Sequence, residues 1–346
     1  MPLTKLQYKP GINRDVTSYS NEGGWVDSDK VRFRFGFPEK IGGWVKYSTN
    51  TYLGSARSLF SWVALNGTKL LGVGTSVKYY VVQGADFNDI TPLRKTTTGT
   101  ATFSVANGAT VATVTDSNNG SNAGDFVTFS SAASLGGNIT AAVLNQEFEI
   151  QTVPTANTYT INLSATANGS DSGNGGGSTV AKYQIDCGLD TQVGGTGWGA
   201  GTWQRGTWGS AADVTTITEL ALWSEDNFGE DLLLNHRDAA IYYWDKSSGV
   251  TARAVNLSSL TGSSDCPTIA KQVMVSDNSR HIIAFGANTL GTSVQDPLLI
   301  RFSSSESLTQ WTPDATNSAG DLRIGTGSEF ITAVETKREI VVFTDS

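Results

Sequence analysis

Residues that could do chemistry are few in this chain. It has only two histidines, His236 and His281, and they lie in different predicted hairpins. No CxxC or HExxH motif occurs, so the sequence predicts no zinc-type metal site. No glycine-rich phosphate loop opens a helix and no GxSxG elbow is present, which leaves no signature of nucleotide binding or of a serine hydrolase. We interpret both histidines as structural and predict no cofactor.

Carboxylates are the remaining candidates for catalysis. A chain with 32 Asp and Glu residues offers many pairs that could act as the acid and base of glycoside hydrolysis. Asp226, Glu230 and Asp231 are one such group, but they fall in a predicted turn, where a solvated charge is the ordinary state. The sequence therefore predicts no catalytic residues and favours a protein that is not an enzyme.

Two polar segments have the composition of ligand sites. Asp116–Asp125 places oxygen-bearing side chains at alternating positions, as calcium loops do, but it lacks the bidentate glutamate. We favour a plain polar turn there. Gly195–Ser210 repeats a tryptophan every five residues, at Trp198, Trp203 and Trp208. These indoles could form a stacking platform for sugars or bases, but we favour a glycine-rich loop that plugs them between sheets.

Composition and charge limit the function classes. The 346 residues are rich in Gly, Thr, Ser, Val and aromatic residues and show no long helical apolar period, which indicates a mainly β fold. A net charge of -8 argues against a protein that grips nucleic acid by neutralising phosphates, though not against one that DNA slides past. Cys187 and Cys266 favour two reduced thiols over a disulfide. Without an apolar leader or a membrane-length window, we expect a soluble protein with no secretory signal.

A strand-turn-strand pattern that occurs twice suggests the architecture. Trp62–Leu93 and Trp223–Leu257 each have a leading tryptophan, an apolar strand, a polar turn, a double-tyrosine strand and a final short strand. An antiparallel unit that repeats and cannot bury both faces alone predicts radially stacked blades. The sequence thus predicts an all-β, propeller-like host domain.

The composition changes sharply between residues 96 and 183, where charges nearly vanish. We predict a β-sandwich or barrel inserted in the host there, with the glycine-rich tip Gly169–Thr179. Around it we predict a lead-in over 1–55, a first blade over 56–95 and further blades over 184–346. The strands predicted in the insert are Thr110–Thr115, Asp125–Phe129, Glu147–Val153 and Thr158–Leu163.

The later part of the chain predicts more hairpins. Ser304, Glu306 and Trp311 occupy the first, third and eighth places of a degenerate Asp-box turn, whose role is structural. About 200 host residues suffice for four to five blades of about 40–45 residues. The chain stops on an apolar strand, so either Glu339–Thr344 closes the ring as its last strand or the chain is a truncated product of a longer gene, and we favour truncation. The predicted hairpin strands are Lys271–Ser276 with His281–Gly286, and Phe330–Val334 with Glu339–Phe343.

The lead-in carries most of the basic residues. Alternation over Val31–Phe37 predicts one strand with an aromatic face and a basic face. We favour a solvated strand face over a docking surface for an acidic neighbour. The basic patch consists of Lys30, Arg32, Arg34, Lys40 and Lys46.

The lead-in, together with two later segments, also resembles a known protein family. The lead-in KPGINRD…GGWVDSDKVRFRFGFPEKIGGWVKY, the hairpin NGTKLLGVGTSVKYYV and the segment FNDITPLR resemble the tail nozzle, neck or packaged-DNA stabilisation proteins of tailed, short-tailed bacteriophages. The resemblance covers about 1–95 and 185–346. It implies a propeller-like subunit of a homo-oligomeric ring of about six copies below the portal and adaptor. The insert, with GDFVTF and NTYTI, resembles β modules of phage structural proteins.

The resemblance also implies a place and a role. The subunit would be made in the bacterial host cytoplasm and incorporated in the virion tail or neck, where double-stranded DNA passes it without sequence-specific contact during retention and ejection. No catalytic residues carry over. The alternative is a carbohydrate-binding or glycan-hydrolysing propeller that acts as a tail-associated receptor binder, for which Trp198–Trp208 would form the platform. A cellular propeller scaffold is a further alternative.

Overall fold

The computed structural model describes residues 9–43, 45–188 and 222–345, and it is nearly all-β, with 42% strand and 3% helix. Its one α-helix, α1 (Ala141–Leu144), is a single turn. The predicted all-β fold class is confirmed. The chain forms two compact units, one up to Thr49 and one from Asn50 onward.

The first unit contains a short hairpin of β1 (Val31–Arg34) and β2 (Phe37–Lys40). The single strand predicted over Val31–Phe37 is therefore wrong. Phe35 and Gly36 both have positive φ, 51° and 83°, which matches the two-residue turn that reverses a twisted antiparallel pair. The basic patch is largely solvated, and Arg32 pairs with Glu39 across the hairpin at 3.1 Å. The chain reverses at Phe35 and Gly36, so the alternation of aromatic and basic residues over Val31–Phe37 does not correspond to one continuous strand.

The second unit begins with a four-stranded antiparallel meander, the first sheet. Its third strand carries the double tyrosine Tyr79-Tyr80, as the repeat predicted. The strands are β3 (Ala56–Val63), β4 (Lys69–Thr75), β5 (Tyr79–Gln83) and β6 (Asp86–Asp89).

A seven-stranded curled sheet follows, and we call it the insert. Its order is β7-β13-β10-β11-β12-β9-β8, so its first and last strands pair and lie at one edge of the sheet. The four strands predicted here are present within two residues at each end. The strands are β7 (Leu93–Thr98), β8 (Thr102–Val105), β9 (Val111–Thr115), β10 (Phe126–Ser130), β11 (Glu147–Thr155), β12 (Thr158–Asn162) and β13 (Val180–Gln184).

The insert surrounds one core of fully buried apolar side chains, including Phe103, Phe129 and Ile150. Alternating strands turn these residues to one concave side. Whether residues 96–183 fold as an independent domain stays a prediction, as does the rest of the predicted domain division.

Two further four-stranded meanders, the second and third sheets, and a final hairpin complete the second unit. The two predicted later hairpins are confirmed as β18–β19 and β22–β23. The second sheet has β14 (Trp223–Phe228), β15 (Asp231–His236), β16 (Ile241–Trp244) and β17 (Val255–Asn256). The third sheet has β18 (Gln272–Val275), β19 (Ile282–Phe285), β20 (Leu299–Phe302) and β21 (Gly320–Arg323), and the hairpin has β22 (Phe330–Glu335) and β23 (Ile340–Thr344).

The sheets share cores with their neighbours. One apolar cluster lies between the first and second sheets, one between the second and third, and one between the third sheet and the hairpin. The first strand of the second sheet, β14, contacts both β3 and β18. Meander sheets stacked with their first strands adjacent are the arrangement of propeller blades.

The tryptophans that lead the two predicted repeat units, Trp62 and Trp223, do not occupy equivalent positions in their sheets. The predicted repeat is wrong at this point. Trp62 is the last but one residue of β3, whereas Trp223 opens β14. Both nevertheless fill the core between the first and second sheets, where Trp62 packs on Trp244 and Trp223 on Tyr79. Burial of a large ring in a shared core, and not position in the repeat, unites them.

The degenerate Asp-box lies after the third strand of the third sheet. Trp311 is buried and its Nε1 donates to the Leu308 carbonyl at 2.9 Å. The backbone amide of Ser304 donates to Gln310 O, and Glu306 has a positive φ of 57°. These contacts stabilise a turn, the structural role expected of it.

Candidate functional site

The first strands of neighbouring sheets are joined by side chains that bond to backbone. Ser224 Oγ accepts the Val273 amide at 3.0 Å, and Asp226 Oδ2 accepts the Val275 amide at 2.8 Å. Because strands of different sheets cannot share a ladder, these bonds satisfy backbone donors that would otherwise be buried without acceptors. They fix β18 against β14.

The same device joins the third sheet to the hairpin. Gln272 on β18 donates Nε2 to Ala333 O at 3.0 Å and accepts the Ala333 amide on Oε1 at 3.1 Å. One amide side chain thus pairs with both backbone groups of one residue. The row of first strands is consequently a rigid element.

A cleft of about 530 Å³ opens along this row, and we call it the inner cleft. Phe60, Trp223, Glu225, Gln272 and Thr332 contribute to its walls. Burial, together with repulsion from Asp226, raises the pKa of Glu225 to about 7. A carboxyl group that exchanges its proton near neutral pH in a cleft is a feature of functional sites, and also of some structural ones.

The three carboxylates named from the sequence do not converge on one site. Asp226 lies within β14 and not in a turn, because the strand extends to Phe228. Glu230 is in the turn and pairs with Lys246 at 3.0 Å. Asp231 opens β15 and accepts the Tyr243 hydroxyl at 2.6 Å. Each has a structural partner, so the arrangement offers no acid–base pair.

Both histidines are hydrogen-bonded to backbone. His236 is buried with Nε2 at 3.0 Å from Cys187 O, and burial lowers its pKa. His281 Nδ1 lies 2.6 Å from Ser303 O. The two cysteines, Cys187 and Cys266, are free thiols in different apolar clusters. Burial raises both thiol pKa values, that of Cys266 to about 12, so neither is an activated nucleophile.

The calcium-like segment Asp116–Asp125 contains a guanidinium. Arg94 donates to Asp125 Oδ2 at 2.6 Å and to Ser121 Oγ at 2.8 Å. Asp116 is buried and accepts the hydroxyls of Thr97 and Tyr183. The cation that these oxygens surround is therefore a side chain of the protein. Within the described ranges, no cluster of three or more His, Cys, Asp or Glu side chains could hold a metal ion.

An ionic cluster around one buried ammonium, the junction cluster, links the insert to the first and second sheets. Lys78 is 2% exposed and lies 2.7 Å from both Asp89 and Glu147. Arg253, which precedes β17, reaches Asp89 at 2.8 Å and Glu147 at 3.6 Å. Two cations face two carboxylates here, so the charges balance inside the protein.

Sequence reasoning missed the junction cluster, because its members lie up to 175 residues apart and nothing local pairs them. Glu225 was also missed, because β14 has four consecutive polar residues between Trp223 and Phe228 and no alternation that would single it out. The predicted platform of Trp198, Trp203 and Trp208 lies outside the described residues.

Two apolar faces at the ends of the sheet stack remain uncovered in the described structure. The hairpin face consists of Ile331, Val334, Val341 and Phe343, which are between 37% and 52% exposed. Their neighbours Phe330 and Ala333 point the other way, into the core shared with the third sheet. The hairpin thus has apolar residues on both sides.

The first-sheet face lies at the other end of the stack. Leu59 and Val63 on β3 are 68% and 61% exposed, while Trp62 between them is buried against the second sheet. Further along the same face, Val73 and Tyr80 are buried in a small cluster, so the exposed part is the β3 side. Apolar surface of this kind marks an interaction site when it is contiguous. No helix among the described residues is long and apolar enough to cross a membrane.

Comparisons with known proteins find little similarity to this chain. No protein-family model and no curated protein matches the chain. Among solved structures, Phage phi92 endosialidase aligns with 11% sequence identity and a TM-score of 0.23, over 88% of this chain and 43% of that chain. The chain thus spans less than half the length of that protein, and a TM-score this low carries no argument about function.

Proposed function

We propose that this chain is a structural subunit of a bacteriophage tail or neck, a nozzle-type component without catalytic activity. Copies associate into a closed ring of about six, which contacts the portal and adaptor and retains and releases DNA. The resemblance of the lead-in to phage tail and neck proteins supports this type of assembly. The exposed apolar faces of the sheet stack support association between copies.

The observation that carries the proposal is the pair of uncovered apolar faces. The second and third sheets bury apolar residues against neighbours on both sides, whereas the hairpin face and the β3 part of the first-sheet face are exposed in the described structure. When the hairpin face of one copy meets the first-sheet face of the next, the contact is heterologous, and such contacts close into rings when their rotation closes.

The charge and the polar sites are consistent with such a role. A net charge of -8 lets DNA pass without adhering, because acidic surfaces repel phosphates. Carboxylates of the junction cluster are engaged in ion pairs with Lys78, and both histidines bond to backbone carbonyls. A rigid body of this type suits a component that must keep its shape under the load of packaged DNA.

The test is a double variant of the hairpin face, Val341→Glu with Phe343→Glu. Charges placed in an apolar contact abolish association, since an unpaired buried carboxylate is costly. In sedimentation velocity we expect the double variant to be monomeric under conditions where wild type assembles. Its circular dichroism spectrum should match that of wild type. The matched control is Leu322→Glu, an exposed residue of β21 outside both faces, which should leave the assembly intact.

Two outcomes oppose the proposal. If the double variant assembles like wild type, the hairpin face is not the contact. If Leu322→Glu disrupts assembly equally, the effect is a general one of added charge and not of this face.

A second candidate is a glycan-binding propeller, favoured by the inner cleft with its aromatic walls at Phe60 and Trp223 and the carboxyl group of Glu225. An oligosaccharide in this cleft would change tryptophan fluorescence, and Glu225→Gln would alter the response. A broad glycan panel with no fluorescence response speaks against this candidate and leaves the structural one in place.

A further inference from the structure

A buried cation lies at the bottom of a second cleft, away from the inner cleft. Arg301 is the third residue of β20, a strand that is otherwise apolar, and it is only 2% exposed. Such burial of a guanidinium is unfavourable unless charge and hydrogen bonds compensate. The sequence LLIRF already contains the signal, a charge inside a short apolar strand.

The partners of Arg301 within the protein are backbone carbonyls. Nη1 donates to Asn288 O at 3.3 Å, and Nη2 donates to Asp265 O. In the parts of the chain that the structure describes, no carboxylate pairs with Arg301 within 4.0 Å. The Asp265 carboxylate instead accepts the Thr312 hydroxyl at 2.8 Å. A guanidinium has five N–H donors, so two carbonyls leave donors for a ligand.

The cleft above Arg301 has a volume of about 390 Å³, within the range of small-molecule sites. Its walls are polar and contain no aromatic side chain. Hydroxyl-bearing residues dominate them, from Ser258, Ser263, Thr292 and Ser293. Asp265 also lines the cleft, with one carboxylate oxygen bonded to the Thr312 hydroxyl.

One wall is fixed before any ligand arrives. Asn288 is 3% exposed, accepts the Thr268 amide at 2.8 Å on Oδ1, and donates Nδ2 to Thr292 O. A single buried amide thereby links the two lining segments at Thr268 and Thr292. Preformed walls reduce the entropy that binding must overcome.

We propose that this cleft binds a small hydroxylated carboxylate of the sugar-acid class, with its carboxylate on Arg301 and its hydroxyls toward the serine and threonine rim. Guanidinium and carboxylate match as a planar, charge-assisted pair. The absence of aromatic walls disfavours neutral sugars, which depend on ring stacking. The site is independent of the proposed assembly and would exist in a monomer.

Isothermal titration calorimetry of the folded wild-type protein tests this proposal. Glucuronate should bind with a saturable heat change, while glucose should give none.

Variants then test the role of the guanidinium. Arg301→Lys, which keeps the charge but loses the planar fork, should weaken glucuronate binding about tenfold or more, since hydrogen bonds to charged groups contribute about 1.5–3 kcal/mol. Arg323→Lys on the adjacent strand is the matched control, because Arg323 is exposed and pairs with Asp296. It should bind glucuronate like wild type.

Three results would overturn the inference. The first is no binding of glucuronate to the folded wild-type protein. The second is binding of inorganic phosphate as strong as that of glucuronate, which would make the cleft a plain oxyanion site without use for the hydroxyl rim. The third is an equal loss of glucuronate binding in Arg301→Lys and Arg323→Lys. The first two need no variant, so misfolding of Arg301→Lys does not obscure them.

Discussion

The insert and the sheet stack bury their apolar residues in different ways. The seven strands of the insert curl around a core of their own, in which Phe103, Phe129 and Phe148 pack ring to ring. The stacked sheets instead place their clusters between one sheet and the next. The insert thus has a core of its own, whereas the stacked sheets share their cores.

This difference explains where apolar surface remains. A body that folds around its own core has no reason to expose an apolar face, whereas a stack of sheets leaves one at each end. The hairpin face and the first-sheet face are those ends, and they are the reason to expect association.

The largest effect is expected from Phe129→Ala. Phe129 is 1% exposed, and loss of a buried ring costs about 3–5 kcal/mol. If the insert is self-sufficient, only its own free energy of unfolding falls. All nine tryptophans lie outside Leu93–Gln184, so tryptophan fluorescence reports the sheets while hydrogen exchange of insert peptides reports the insert. We expect faster exchange in the insert with little shift in the fluorescence transition.

Phe285→Ala is the matched variant in the sheets. Phe285 is equally buried and stacks on Phe330 at 4.9 Å. The Phe285→Ala substitution should lower the midpoint of the tryptophan fluorescence transition and leave hydrogen exchange in the insert core unchanged. Transitions that move together in both variants would mean that the chain unfolds as one cooperative unit.

A somewhat smaller effect is expected from Lys78→Met in the junction cluster. Removal of the buried ammonium leaves Asp89 and Glu147 with Arg253 alone, and breaking a buried pair typically costs about 3 kcal/mol. Arg323→Met removes a partner at the same 2.7 Å distance from an exposed pair and should cost less than about 1 kcal/mol. Urea unfolding of both variants gives the comparison, and equal losses would show that burial of the cluster is unimportant.

The effect of Glu225→Gln on the free energy of unfolding should depend on pH. The Glu225 carboxyl binds a proton more tightly in the folded protein, where its pKa is about 7, than in the unfolded chain, where it is 4.5. The associated stability is complete below about pH 4.5 and is lost as the pH rises through 7. At about 1.4 kcal/mol per pH unit, the variant gains at most about 3 kcal/mol over wild type at pH 8 and little at pH 4.

Thermal unfolding across this pH range measures the effect. Glu149→Gln, at an exposed position of β11, serves as the control and should parallel wild type. A Glu225→Gln profile that also parallels wild type would show that this carboxyl titrates as an ordinary exposed glutamate.

Local patterns predicted most of the strands, because their causes are local. Alternation and turn residues located Val111–Thr115 and Phe126–Ser130 to within one residue, and the double tyrosines located the third strands of the first two sheets. Alternation failed at Phe35 and Gly36, where turn chemistry reversed the chain.

The sites were less predictable, because they depend on burial and on long-range pairing. Lys78 meets Glu147 across 69 residues, and no property of either segment requires it. The raised pKa of Glu225 follows from how three sheets enclose it. The cation within Asp116–Asp125 comes from Arg94, which belongs to a different strand.

The most direct test of the account is the mass of the purified wild-type protein in solution, measured by light scattering alone and with its portal–adaptor complex. The account predicts a ring of about six copies, formed alone or on the adaptor, with the hairpin face buried. A protein that stays monomeric in both conditions would contradict the account, because the uncovered faces of the stack would then serve no association.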